Sequence, residues 1–364
     1  MIKRNELDKV LKTSRRFTGG DNSILDVLNS FKITVSSKFF KVEATNAEFA
    51  SVQWISILDT GVTGELLVPA AKLTDTIGAF LAEDVTFNIV DNKINLSSGK
   101  QKVKIIGNSD VMDFPVIPDF PVTFFTVDTK EFSEKLNSVL FCGALDSSNP
   151  ILRCVSMKYM DGSLKMATSD GYRAAMNELF ISSGIDPQLK AAVSIKFLKE
   201  VLSLAKGTET IDVAFDGSRI YVRTSNAMFQ SVLTNQKIID PSKGFEQALD
   251  FEFDFIGEEA DKAAKLAEVF ALDSNKPRFV KVEAIEGAIT LSAAGEDGEA
   301  KVEFPVDFNG EFGGKHGVDI GYFREICKAF DVMTCSLTAD STSKFIFKSA
   351  KDPSWKALIS SMNV

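Results

Sequence analysis

Two hydrophobic rhythms alternate along the chain. In "LVPAAKLTDTIGAFLAEDVTFNIVDNKINLSSG", from Leu67, apolar residues recur first at helical spacing (Leu73, Ile77, Phe80) and then at every second position (Val85, Phe87, Ile89). The first rhythm lays an apolar stripe along a helix; the second gives a half-buried strand one apolar face. "VDNKI" then places Asp91 and Asn92 where a hairpin turn needs them, and a second strand returns. The same order recurs in "AVSIKFLKEVLSLAKGTETIDVAFDGSRIYVRTS" from Ala192 and in "GVDIGYFREICKAFDVMTCSLTADSTSKFIFKSA" from Gly317. Their helical stripes are Leu198, Leu202 and Ala205, and Phe323, Cys327 and Phe330. Val68, Val193 and Val318 open the three stretches and stand 125 residues apart both times (193 minus 68, 318 minus 193).

A fainter repeat precedes each of these. "TGGDNSILDVL", "ALDSSNPILRCV" and "ALDSNKPRFVKV" align Ser23, Pro150 and Pro277, each expected to open a strand, with helical segments ahead of them near residues 7–13, 132–140 and 260–270. Self-similarity at a fixed period marks one module used several times. The pattern predicts an α+β chain of three units, 1–121, 122–245 and 246–364, each running helix, strands, helix, strands. The joints fall at the proline-rich "DFPVIPDFP" and at "IIDPSKGFEQ". Alternation in "FEFDF" puts Phe251, Phe253 and Phe255 on a core-facing strand.

Composition narrows the function. The 364 residues exceed one ordinary core, and 45% apolar with 25% charged residues is a globular balance. The charged N-terminal segment has no apolar signal core and no stretch is long and apolar enough to cross a bilayer, so a soluble cytoplasmic chain is expected, with no membrane partner. Cys142, Cys154, Cys327 and Cys335 are scattered without metal or disulfide spacing and read as core residues. No cofactor or metal motif is present, so neither is expected. The net charge of −9 argues against a uniformly basic surface. It is unevenly spread: the helical segments 6–16, 69–81, 129–142, 195–206, 257–271 and 320–330 sum to +3, leaving −12 elsewhere.

"KMATSDGYRAAM" (residues 165–176) invites a catalytic reading through Ser169, Asp170 and Tyr172. A serine nucleophile needs a base within hydrogen-bond reach, and the single histidine, His316, has no flanking motif that marks it as one. The segment reads instead as strand, tight turn and strand, with Asp170 and Gly171 supplying the turn. No enzyme is expected.

These residues also carry a resemblance. "MATSDGYRAAM", the proline stretch "DFPVIPDF", the helix "VSIKFLKEVLSLA" and the three-unit layout resemble the bacterial DNA polymerase III beta subunit, the replicative sliding clamp, along the full chain. The resemblance implies three tandem clamp domains, each with two helices lining a pore and outer antiparallel sheets, closed as a ring-shaped homodimer around double-stranded DNA. Such a ring confines DNA and needs only weak, sequence-independent attraction to phosphates. Lys12, Arg15, Arg16, Lys72, Lys196, Lys199, Arg278, Tyr322, Arg324 and Lys328 are the candidates for that contact, Lys196 standing where the family carries a DNA-facing lysine. The implied partners are the clamp loader, the replicative DNA polymerase and other proteins carrying clamp-binding peptides. They would bind a groove formed by Leu152, Ser169, Gly171, Tyr172, Arg173, Ala174, Ile239, Pro241, Met362 and Val364. An apolar slot with a methionine suits leucine and aromatic anchors. The C-terminal "ISSMNV" and Tyr172 depart from the family pattern, so peptide preference is expected to differ. Ring closure is expected between "GKQKVKII", with Lys100, Lys102, Val103, Lys104 and Ile105, and "GEDGEAKVE", with Glu296, Glu299 and Glu303, together with Leu272. The acidic balance leaves a second reading, a clamp-like decoy or scaffold that binds clamp partners without encircling DNA.

Overall fold

The structure is a computed structural model. It describes the whole chain except residues 21–22, 24, 58–62, 182–188, 247–249, 272–277, 296–297, 311–315, 338–343 and 363–364. Six helices occur among the described residues: α1 (Arg4–Arg15), α2 (Ala70–Ala79), α3 (Thr129–Leu140), α4 (Ile195–Ala205), α5 (Gly257–Ala271) and α6 (Ile320–Cys327). Each third of the chain holds two, and strands fill the rest. Ser23 and Pro150 do not open strands as the sequence suggested. Short 3-10 turns, Asp26–Asn29 and Pro150–Arg153, intervene before the strands Ser30–Val35 and Cys154–Met160 begin. Pro277 lies outside the described residues.

Two compact units form. The first holds chiefly Met1–Lys130 and Phe197–Leu233, the second chiefly Glu131–Ser182 and Thr234–Val364 together with the strand Lys190–Ser194. Every pairing between named strands is antiparallel, as expected where hairpins join neighbours.

In the first unit an eight-stranded sheet runs in the order Gly64–Pro69, Ser30–Val35, Phe39–Thr45, Phe49–Ser56, Ala227–Val232, Arg219–Arg223, Thr210–Phe215, Phe125–Asp128. Its two halves come from different repeats and join where Phe49–Ser56 pairs with Ala227–Val232. α1 buries Leu7, Val10 and Leu11 on this sheet, and the buried Gln53 amide donates to the Val10 carbonyl (3.2 Å) and the Ser14 hydroxyl (2.8 Å). Phe49 packs against Phe197 of α4 at 5.6 Å. The proline-rich segment lies on the sheet: Ile117 and Phe120 pack on Val52, Ala214, Tyr221 and Met228. Phe120 and Phe124 also cover the Arg223 guanidinium at 3.9 and 4.9 Å, while that group binds Asp212.

The second unit repeats the device. A nine-stranded sheet joins Arg173–Phe180 to Lys356–Ser360, strands of two different repeats. Phe253, Phe255, Phe304, Phe323 and Phe347 form one aromatic core with rings 5.7–6.4 Å apart, so the "FEFDF" alternation faces inward. The unit also holds a polar hub. Lys135 of α3 donates to Asp352 (2.7 Å) and Ser354 (2.8 Å), Asn177 donates to Asp352 (2.8 Å), and the buried Trp355 indole donates to the Ser138 carbonyl (2.9 Å). The four cysteines are free and buried, as expected of core residues.

Candidate functional site

The segment that invites a catalytic reading is a turn between two strands, Ser163–Ser169 and Arg173–Phe180. Its polar atoms are consumed locally. The Ser169 hydroxyl donates to the Arg173 carbonyl (2.7 Å) and accepts from the Gly171 N–H (3.0 Å), while one Asp170 oxygen accepts from the N–H groups of Tyr172 and Arg173 at 3.0 and 2.9 Å. Gly171 has φ +97°, a conformation that glycine adopts without strain. The turn leaves Tyr172 68% exposed, and the Tyr172 carbonyl accepts from the Ser360 N–H at 2.9 Å, tying the turn to the C-terminal strand.

Apolar groups gather around this turn. Leu152, Ile238 and Ile239 pack on Ile151, Cys154 and Ala192, and Phe245 packs on Ala174, Ile346 and Leu358. The Ile239 N–H donates to the Ser156 hydroxyl at 2.8 Å, and Pro241 leads into the 3-10 turn Ser242–Phe245. Met362 is held through its backbone, donating to the Gly317 carbonyl at 2.9 Å. Val364 lies outside the described residues.

Arg173, expected in the groove, lies largely inside the protein. It is only 7% exposed. Its guanidinium donates to Asp170 (2.9 Å), to Glu325 of α6 and to the Phe141 carbonyl (2.8 Å), and lies 4.1 Å over the Tyr322 ring. Tyr322, expected at DNA, is thereby placed beside the turn. Burial, and then the Asp170 charge, push its phenol up to about 12, so it stays neutral at physiological pH.

The basic candidates separate into two kinds. In the first unit Lys12 pairs with Asp8 (2.7 Å), Arg15 with Asp75 (3.0 Å) and Arg16 with Glu200 (2.5 Å). Lys12, Arg15 and Arg16 line a cleft of about 470 Å³ between α1 and α2. Lys72, Lys196 and Lys199 are exposed and have no ion pair among the described residues. In the second unit Arg324 is mostly buried between Asp261 (2.8 Å) and Glu268, Arg278 also binds Glu268 (2.9 Å), and Lys328 lies 3.9 Å from Asp261. Partial burial works against the Arg324 charge, but hydrogen bonds to Asp261 and Glu268 outweigh it and hold that charge above the ordinary arginine range.

Among the described residues, both segments expected to close a ring lie at sheet edges: Gln101–Ile106 pairs there only with Lys93–Ser98, and Gly298–Pro305 only with Ala288–Gly295. Lys100, Lys102 and Lys104 are exposed on the first and Glu299 and Glu303 on the second, while Val103 is half-buried. Ile105 points into the core opposite Ile94. Its neighbour Ile106, passed over in the sequence, is the exposed apolar residue at 64%. Strand alternation decides this: Ile106 shares its face with Lys102 and Lys104. Near the other edge, α5 exposes Leu266 (53%) and Val269 (61%), and its Phe270 abuts Gly295 and Gly298. Glu296 and Leu272 lie outside the described residues. No helix among the described residues is long and apolar enough to cross a membrane.

Comparison with known proteins places this geometry. The Beta sliding clamp of Pseudomonas aeruginosa is 22% identical over 293 residues, 79% of this chain and 78% of that protein. That of Chlamydia muridarum is 25% identical over 55% of this chain and 54% of its own. Among solved structures, the beta subunit of the DNA polymerase of Streptococcus pyogenes superposes with a TM-score of 0.92 at 19% identity, covering 100% of this chain and 99% of that one. The DNA polymerase III subunit beta of Pseudomonas aeruginosa superposes at 0.91 and 20%, with the same coverage. The fold is therefore that of the sliding clamps. Family models described as the DNA polymerase III beta subunit match in sequence, the N-terminal domain over residues 1–118 and the central domain over residues 126–240. Together they span more than half of the chain, which therefore belongs to the DNA polymerase III beta subunit family.

Proposed function

We propose that this chain is a DNA sliding clamp: a processivity factor that encircles duplex DNA as a head-to-tail homodimer and tethers the replicative polymerase. The observation that carries the reading is the sequence match to the family's first two domains within a chain whose whole length takes the clamp fold. Three domains, 1–121, 122–245 and 246–364, make up each subunit. Lysines on the sheet edge Gln101–Ile106 and glutamates on the sheet edge Gly298–Pro305 suit a heterologous contact that closes on itself. The turn at Gly171 and Tyr172, with Leu152, Ile239 and Met362, supports a groove for leucine and aromatic anchors carried by the polymerase, the clamp loader and other partners. The role needs no catalysis, and the Ser169 hydroxyl is already committed to the Arg173 carbonyl. The protein acts in the cytoplasm and needs no cofactor.

Confinement predicts a behaviour that adhesion does not. Loaded onto nicked circular duplex by a clamp loader, the dimer should stay bound in high salt and leave once the circle is cut. Equal loss from circular and linear DNA would overturn the reading.

A further inference from the structure

Resting on the clamp reading, we infer that the electrostatic grip on duplex DNA comes from α1, α2 and α4, and that Arg278, Arg324 and Lys328 beside α5 and α6 make no phosphate contact. The charges divide that way. Residues 4–16, 70–79 and 195–206 carry nine lysines and arginines against four carboxylates, whereas residues 257–271 and 320–328 carry four against five.

Availability sharpens the division. Lys72 and Lys199 are exposed and have no carboxylate partner among the described residues. Each can meet a phosphate without breaking a contact, and each contact frees condensed counterions. Arg324 cannot. Drawing it toward DNA would strip Asp261 and Glu268, both largely shielded, of their main counter-charge, and uncompensated carboxylates of that kind are costly. Arg278 shares Glu268 and Lys328 lies near Asp261, so these cations sit beside negative charge well within one screening length. A phosphate approaching α5 would also meet the exposed Glu258 and Glu259. The Arg324 cluster therefore joins α5 to α6 and holds its own cations away from DNA.

Fluorescence anisotropy of the full-length protein with a short labelled duplex, measured across a KCl series, tests this through the slope of log affinity against log salt. The double variant Lys72→Ala with Lys199→Ala should reduce the magnitude of that slope by about 2, close to one per lost phosphate contact. Arg278→Ala with Lys328→Ala should leave it unchanged. An equal reduction from the second pair, or none from the first, overturns the inference while leaving the clamp reading in place. A parent protein with no salt-dependent affinity for duplex overturns the inference alone, because the clamp reading rests on confinement and is tested on circular DNA.

Discussion

Arg173 is the residue around which the candidate groove is organised, and it works from behind. Its guanidinium is engaged by Asp170, Glu325, the Phe141 carbonyl and the Tyr322 ring, contacts that hold it inside the protein. Arg173→Ala should lower unfolding free energy by about 3 kcal/mol, because it leaves the buried Asp170 uncompensated. Met362→Ala should instead weaken a fluorescent clamp-binding peptide at unchanged stability. Urea titration alongside peptide anisotropy separates these outcomes; a fully stable Arg173→Ala protein that loses peptide affinity would put the arginine in direct contact after all. Asp352 gives a second prediction at this scale. Burial raises its carboxyl, but hydrogen bonds from Lys135, Asn177 and Ser354 outweigh that and hold it below the ordinary carboxylate range. A depressed folded pKa contributes stability that is present above the unfolded value, about 4, and is lost as pH falls through the folded one. Thermal midpoints should therefore drop below about pH 4, and Asp352→Asn should flatten that drop while lowering the neutral midpoint. An identical acid slope in the variant would remove Asp352 from the account. The types of these residues were legible in the sequence, but their partners were not: Arg173 and Glu325 are 152 positions apart, and no local pattern encodes such a pair.

Elements were easier to read than partners. Helix spacing and strand alternation carry their own periods, so a helix lies at each apolar stripe, although α2 ends before Phe80 and α6 ends before Phe330, the last residues of their stripes. The two edge strands were legible by charge, but Ile105 and Ile106 were not distinguished, because two adjacent isoleucines fit either register until the pairing with Lys93–Ser98 fixes the face. That correction carries a prediction. If Ile106 and the exposed Leu266 and Val269 form the apolar centre of the subunit contact, Ile106→Glu should reduce the mass on size exclusion from near twice 39.8 kDa to a single chain. A variant that remains dimeric would move the contact elsewhere.

For the whole molecule, the threefold repeat was legible and the sheet continuity was not. Repetition predicts three similar modules; the structure shows that modules share sheets, with Phe49–Ser56 paired to Ala227–Val232 and Arg173–Phe180 paired to Lys356–Ser360. Pairing across nearly 180 positions leaves no trace in a local hydrophobic pattern, because each strand alternates the same way whichever neighbour it finds. Part of the middle repeat therefore belongs to the first compact unit and the remainder to the second.

This sharing governs the order in which a nascent chain can mature on the ribosome. The Phe49–Ser56 edge stays open until the strand ending at Val232 emerges, and the Arg173–Phe180 edge waits for Lys356–Ser360, about as far along the chain again. Strand edges left bare during synthesis template unwanted association, so the interval before each partner strand emerges is when this protein most depends on chaperones.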